Sequence, residues 1–235
     1  MTAHAIRIAG VQKHYAALRP LRIQALEVGM GERVALGGLD GAAAEVLVNL
    51  VTGAALPDEG TVHVLGRATA EISDGDAWLA SLDRFGILSP RAVMLEGSTL
   101  LQNLALPFTL QIDPVPPDVV ERVAALAAEC GIDTASLPVQ VGELPQGLRV
   151  RAHLARALAL DPALLLVEHP TADVAEAERP GLASDLARVA GARRLPALIL
   201  TLDQGFAEAA AHRSLELQPA TGVLAPWKKK RGWFR

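Results

Sequence analysis

Between Val34 and Gly53 the chain reads VALGGLDGAAAEVLVNLVTG, and no other stretch limits the fold as strongly. Val34 to Leu36 fits a buried strand, and Gly37, Gly38 and Gly41 make a turn. Val46, Leu47, Leu50 and Val51 then recur at helical spacing as far as Gly53. Strand, glycine turn and helix in this order make a phosphate-binding loop, in which free amides at the helix N-terminus face an anion. Such a loop closes on a glycine, a lysine and a hydroxyl, but here the residues are Ala43, Ala44 and Glu45. The frame is present without its positive charge.

With 235 residues and 51% apolar content, the chain can bury the core of one large domain. It has no run of 18 apolar residues, and MTAHAIRIAG has no signal-peptide core, so a cytoplasmic location is expected. Cys130 stands alone, which excludes an internal disulfide and a thiolate cluster; it reads as a small buried apolar residue. The six histidines show no ligand spacing, and no metal site is expected from them. Lys228, Lys229, Lys230, Arg231 and Arg235 crowd the last eight residues, so the body is more acidic than the formal charge of −4 conveys. An acidic body argues against nucleic acid as a partner.

Ile6 to Glu32 reads as short strands with turns, and Pro57 to Thr69 as a turn and a strand. FGILSPR is a strand that ends at Pro90, and MLEGSTLLQNLALPF follows, with Ser98 or Thr99 able to cap a helix carrying Leu100, Leu101, Leu104 and Leu106. The prolines of DPVPPD open a helix that runs to Gly131. VGELPQGLRVRAHLARALALDPALLLVEHPTADV then gives a helix and an apolar run, Leu164 to Val167, suited to a central parallel strand. ALILTLD, from Ala197 to Asp203, reads as a further strand.

In this order and spacing, Ile6 to Leu224 resembles the ATP-binding subunits of ABC transporters. The resemblance implies an α/β fold, a P-loop NTPase core with an antiparallel β subdomain and a helical subdomain at about residues 91–160. One domain would span residues 1–224, and a basic, aromatic tail would occupy 225–235. Gly38 and Gly41 fall on loop glycines, Ala44 on the lysine, and Glu45 and Val46 on the two hydroxyl positions. Pro90 stands where a glutamine links metal and attacking water to the permease-facing helices. Leu144, Pro145, Gln146 and Gly147 fall on the Leu-Ser-Gly-Gly signature, where Pro145 lacks a hydroxyl and an N–H. Glu168 takes the place of the metal-supporting aspartate, His169 of the catalytic glutamate, and Leu202 of the histidine that touches the γ-phosphate. Pro170 and Thr171 match, while Ala175 stands for a loop aspartate. Tyr15 fits the adenine-stacking aromatic, or equally a tyrosine packed at a sheet edge.

P-loop phosphoryl transfer is mostly positioning and charge neutralisation. Ala44 removes a charge-assisted contact of roughly 1.5–3 kcal/mol, and Glu45 and Asp40 add carboxylates near the phosphates. At about 4 Å and an effective dielectric near 20, each such like-charge pair costs on the order of 4 kcal/mol. Glu45 is expected to serve as an internal phosphate mimic at the helix N-terminus. The reading is therefore a catalytically degenerate subunit without cofactor, a scaffold or regulator beside an active ATPase and a membrane permease. An ATPase using Glu168 and His169 with Mg-ATP, and a soluble protein-binding regulator, are the alternatives. Leu100, Leu101, Leu104 and Phe108 lie where the resemblance puts the permease contact, against the alternative of a helix packing on its own domain. Lys228, Lys229, Lys230 and Arg231 could meet anionic lipid on the inner face of the membrane, fill a partner groove, or form a solvated end.

Overall fold

The computed structural model describes residues 4–72 and 74–228. In chain order the elements are β1 His4–Lys13, β2 Leu21–Gly29, β3 Arg33–Gly37, α1 Gly41–Thr52, β4 Glu59–Val64, β5 Arg67–Ala68, α2 Gly75–Leu82, β6 Phe85–Leu88, α3 Leu100–Ala105, α4 Pro117–Glu129, α5 Gln146–Leu158, β7 Leu164–Glu168, α6 Arg179–Ala192, β8 Ala197–Leu200, α7 Gln204–Ala210, β9 Arg213–Gln218 and β10 Val223–Pro226. They build two sheets. One is antiparallel, ordered β2-β1-β4-β5; the other is ordered β10-β9-β3-β8-β7-β6 and is parallel except for the β10–β9 pair.

The parallel strands are apolar throughout because both of their faces are covered. Alternation along each strand sends Leu164, Leu166, Leu198 and Leu200 into one core and Leu165, Val167, Ala197 and Ile199 into the other. The first core lies between the two sheets, and α1 fills it through Ala44, Leu47, Leu50 and Val51. The second holds α3 to α7, the helices of the other layer. Cys130, fully buried in this second core, has its thiol pushed up to about 12, chiefly by burial, and is an inert packing residue.

Thr99 caps α3 in a capping box. Its Oγ1 accepts from the Gln102 amide at 3.2 Å, and Gln102 Oε1 accepts from the Thr99 amide at 2.8 Å. Asn103 on the same helix is fully buried; it donates to Leu95 O at 3.0 Å and accepts from Leu95 N at 2.8 Å, tying α3 to the strap 89–99 that enters it from β6.

At the C-terminus the fold extends beyond the expected start of the tail. β10 reaches Pro226, Trp227 N donates to Ser214 O at 3.0 Å, and the indole lies on Gly37, where a Cβ would come within 2.7 Å of the ring. Residues 225–227 thus belong to the folded body. Lys228 is exposed, while Lys229, Lys230, Arg231 and Arg235 lie outside the described residues.

Candidate functional site

β3 delivers the glycine turn to the N-terminus of α1. Gly38 has φ of 82°, and a Cβ there would stand 2.6 Å from Leu217 O of β9, so only glycine fits. Asp40 is the N-cap: its Oδ1 accepts from Ala43 N at 2.8 Å, and its carbonyl from Ala44 N at 2.9 Å. This overturns the expectation for Glu45. The carboxylate at the helix amides belongs to Asp40, because an N-cap side chain starts one step outside the helix and curls back on it. Glu45, one turn in, points outward, with its Oε2 3.5 Å from Arg91 Nη1. Asp40→Ala is expected to cost about 1 kcal/mol, lowering the thermal midpoint by roughly 2–4 °C in a scanning melt.

Ala44 is completely buried in the core between the sheets. Tyr15 is half-buried against that core beside the loop; burial, and then the charge of Asp40, raise its pKa.

At the end of β7, Glu168 is 1% exposed, and both of its carboxylate oxygens are hydrogen-bonded. Arg91 grips it with both guanidinium arms, Nη1 to Oε1 at 2.6 Å and Nη2 to Oε2 at 2.8 Å, and Ser89 Oγ donates to Oε2 at 3.0 Å. Since Arg91 also approaches Glu45, one cation joins α1, β7 and the strap. A fork-to-fork pair of this kind is the strongest form of carboxylate recognition.

His169 follows with φ of 42°, a strained backbone for a bulky residue. Its amide donates to Leu200 O at 2.8 Å, and its Nε2 is enclosed without a hydrogen-bond partner among the described residues. Gly41, Pro90, His169, Thr171, Ala172 and Leu202 line an open recess of about 450 Å³ together with the Arg179–Asp203 ion pair, 3.2 Å long. The structure therefore gathers Gly41, Pro90, His169 and Leu202 around one recess, and Glu45 and Glu168 around Arg91. Leu144, Pro145, Gln146 and Gly147 do not line that recess. Pro145 starts α5 without a side-chain cap, Leu144 is buried, and a Cβ on Gly147 would come within 2.9 Å of Glu178 Oε2.

The expected permease-contact set needs correction. Leu100 and Leu104 are 0% exposed and belong to the chain's own helical core, because the apolar face of α3 is covered by α4 and α5. Leu101 and Phe108 are half-buried, and the Phe108 ring carries the Arg122 guanidinium 4.0 Å from its centroid. A groove of about 300 Å³ lies between the layers, lined in part by Ile87, Ala92, Pro107, His153, Arg156 and Leu160. Arg156 Nη1 donates to Val93 O at 2.7 Å, and burial, followed by the charge of Arg156, lowers the His153 pKa. Val93 and Leu160 are exposed at the surface. Sequence reasoning missed Ser89, Arg91, Arg179 and this groove. The sole signal for Arg91 was its place directly after Pro90.

The sequence and the fold both have known relatives. A family model described as "ABC transporter" matches residues 21–172. The phosphonates import ATP-binding protein PhnC of Anaeromyxobacter dehalogenans is 33% identical over 199 residues, which are 81% of this chain and 39% of that protein. This chain thus spans about two fifths of that relative. The lipoprotein-releasing system ATP-binding protein LolD of Chromohalobacter salexigens is 29% identical over 202 residues, 85% of this chain and 82% of that one. Among solved structures, the dimeric structure of MJ0796, a bacterial ABC transporter cassette, superposes with a TM-score of 0.75 at 20% identity, covering 92% of this chain and 95% of the other. The two-sheet fold around a strand, glycine turn and helix, and a family model that matches most of the sequence, lead to one conclusion: the chain belongs to the ABC transporter family.

Proposed function

We propose that this chain is a non-hydrolysing subunit of an ABC membrane transport complex, a scaffold or regulator that sits on the cytoplasmic face of a permease and pairs with an ATPase subunit of intact motifs. The observation that carries the reading is Ala44. At the place where the resemblance requires an ammonium over the phosphates there is a methyl group, 0% exposed and packed between the two sheets. The residues present do not fit a magnesium nucleotide: the Ala43 amide meets the Asp40 carboxylate, and Glu45 and Glu168 are already held by Arg91. The groove beside Val93 and Leu160 is the surface we assign to the permease, in place of Leu100 and Leu104. No helix among the described residues is long and apolar enough to cross a membrane, so attachment through a partner, aided by the basic residues Lys228 to Arg231 on anionic lipid, is part of the reading.

One observation favours a second reading, an ATPase with unusual residues. His169 lines the recess, and its Nε2, though enclosed, has no hydrogen-bond partner among the described residues, so the nitrogen of a base is left uncommitted beside the recess. A base is useful only beside a held nucleotide, and Ala44 offers it no anchor.

A calorimetric titration with Mg-ATP decides between them. The native chain is expected to give no binding heat, whereas micromolar affinity would bring the ATPase reading forward. The same titration of Ala44→Lys with Glu45→Ser asks whether the frame still accepts a nucleotide once its charge is restored.

A further inference from the structure

We propose that Arg91 is the resident cation of this site: its guanidinium occupies the place the resemblance gives to the divalent metal, and it fastens the strap 89–99 to the core without a nucleotide. The proposal rests on the non-hydrolysing reading and explains how such a subunit keeps its shape.

Three positions are assigned to the metal and its linkage, 45, 90 and 168. The side chain next in sequence to the middle one reaches both of the others. Glu168 has no free oxygen to offer a metal. Oε1 accepts from Arg91 Nη1 at 2.6 Å, while Oε2 accepts from Arg91 Nη2 at 2.8 Å and from Ser89 Oγ at 3.0 Å. A magnesium ion demands oxygen ligands at about 2.0–2.1 Å in near-octahedral array, and a guanidinium already in contact with both carboxylates excludes it by volume and by charge. Ser89 completes the arrangement by also accepting from Arg91 N at 3.2 Å, so the backbone of the clamp is held as firmly as its side chain.

What the clamp joins is equally informative. Glu45 belongs to the loop helix, Glu168 to a central strand, and Arg91 to the strap that continues through Val93, held by Arg156, and Leu95, held by Asn103, into α3. In a subunit whose metal arrives with its nucleotide, this joint would form only on binding. With the cation built into the chain the joint is permanent, and the strap with its groove is presented to a partner in one arrangement.

The test is a titration with Mn²⁺ alone, followed by the electron paramagnetic resonance of the free ion, on the full chain without nucleotide. The native chain is expected to leave the free-ion signal unchanged. Arg91→Ala, which leaves the Glu45 and Glu168 carboxylates facing an empty space, is expected to bind Mn²⁺ at least about tenfold more tightly than the native chain. In the same variant, amide exchange over residues 89–99 should quicken and slow again when Mn²⁺ is added. Arg91→Lys keeps a cation and loses the fork, and is expected to gain no Mn²⁺ affinity. It supplies the comparison should the alanine variant not fold. Mn²⁺ binding by the native chain or by Arg91→Lys overturns the proposal, as does a folded Arg91→Ala that gains none. The outcome is separable from the Mg-ATP titration: Mn²⁺ binding without ATP binding removes the resident cation alone, and binding of both removes the non-hydrolysing reading with it.

Discussion

Arg91→Ala is expected to lower the thermal midpoint by on the order of 10 °C when no divalent ion is present. The substitution leaves Glu168, 1% exposed, with Ser89 as the one side-chain donor to its charge among the described residues. Removing one partner of a buried ion pair typically costs about 3–5 kcal/mol, and because Arg91 is itself 43% exposed and its removal admits water to Glu168, the lower end of that range applies here. In a chain of this size each kcal/mol moves the midpoint by roughly 2–4 °C. Arg91→Met combined with Glu168→Leu removes both charges and their desolvation, and is expected to melt close to the native chain. A double variant that melts as low as Arg91→Ala would overturn the account in which the loss comes from the stranded Glu168 charge; the coupling energy itself follows once Glu168→Leu and Arg91→Met are melted alone to close the cycle.

The parts of this molecule that follow from local pattern were legible in the sequence. Leu164 to Val167 is apolar at every position, so it had to lie inside a sheet covered on both faces, and its residues do alternate between the two cores. Gly38 and the helix Gly41–Thr52, stopped at Gly53, follow from the turn and the periodicity, and of the two caps open to α3, Ser98 or Thr99, the fold uses Thr99. What depends on the third dimension was not legible. Glu45, Arg91 and Glu168 are far apart in the chain and meet only because α1, the strap and β7 converge at one end of the parallel sheet. The choice between Asp40 and Glu45 at the helix amides turns on which backbone step lies outside the helix, a matter of φ and ψ that charge counting does not see. Trp227 reads in sequence as part of a basic tail. In the fold its ring takes the space left by the missing side chain of Gly37.

The same limit explains α3, and Leu104→Ala tests it. A helical stripe of leucines has an apolar face, but the sequence does not say whether the chain itself or a partner covers that face. Leu104 is 0% exposed within the core of the helical layer, so truncation should leave a cavity and cost about 2–5 kcal/mol in denaturant unfolding, with or without any partner. Val93, 77% exposed beside the groove, is the matched control: Val93→Ala should stay within about 0.5 kcal/mol of native stability. On the proposed function it should weaken copurification with a membrane permease. The two substitutions thus separate packing from docking. Unchanged stability in Leu104→Ala with weakened association would place Leu104 at an interface. The opposite pattern locates the docking surface on the groove and leaves α3 as the wall behind it.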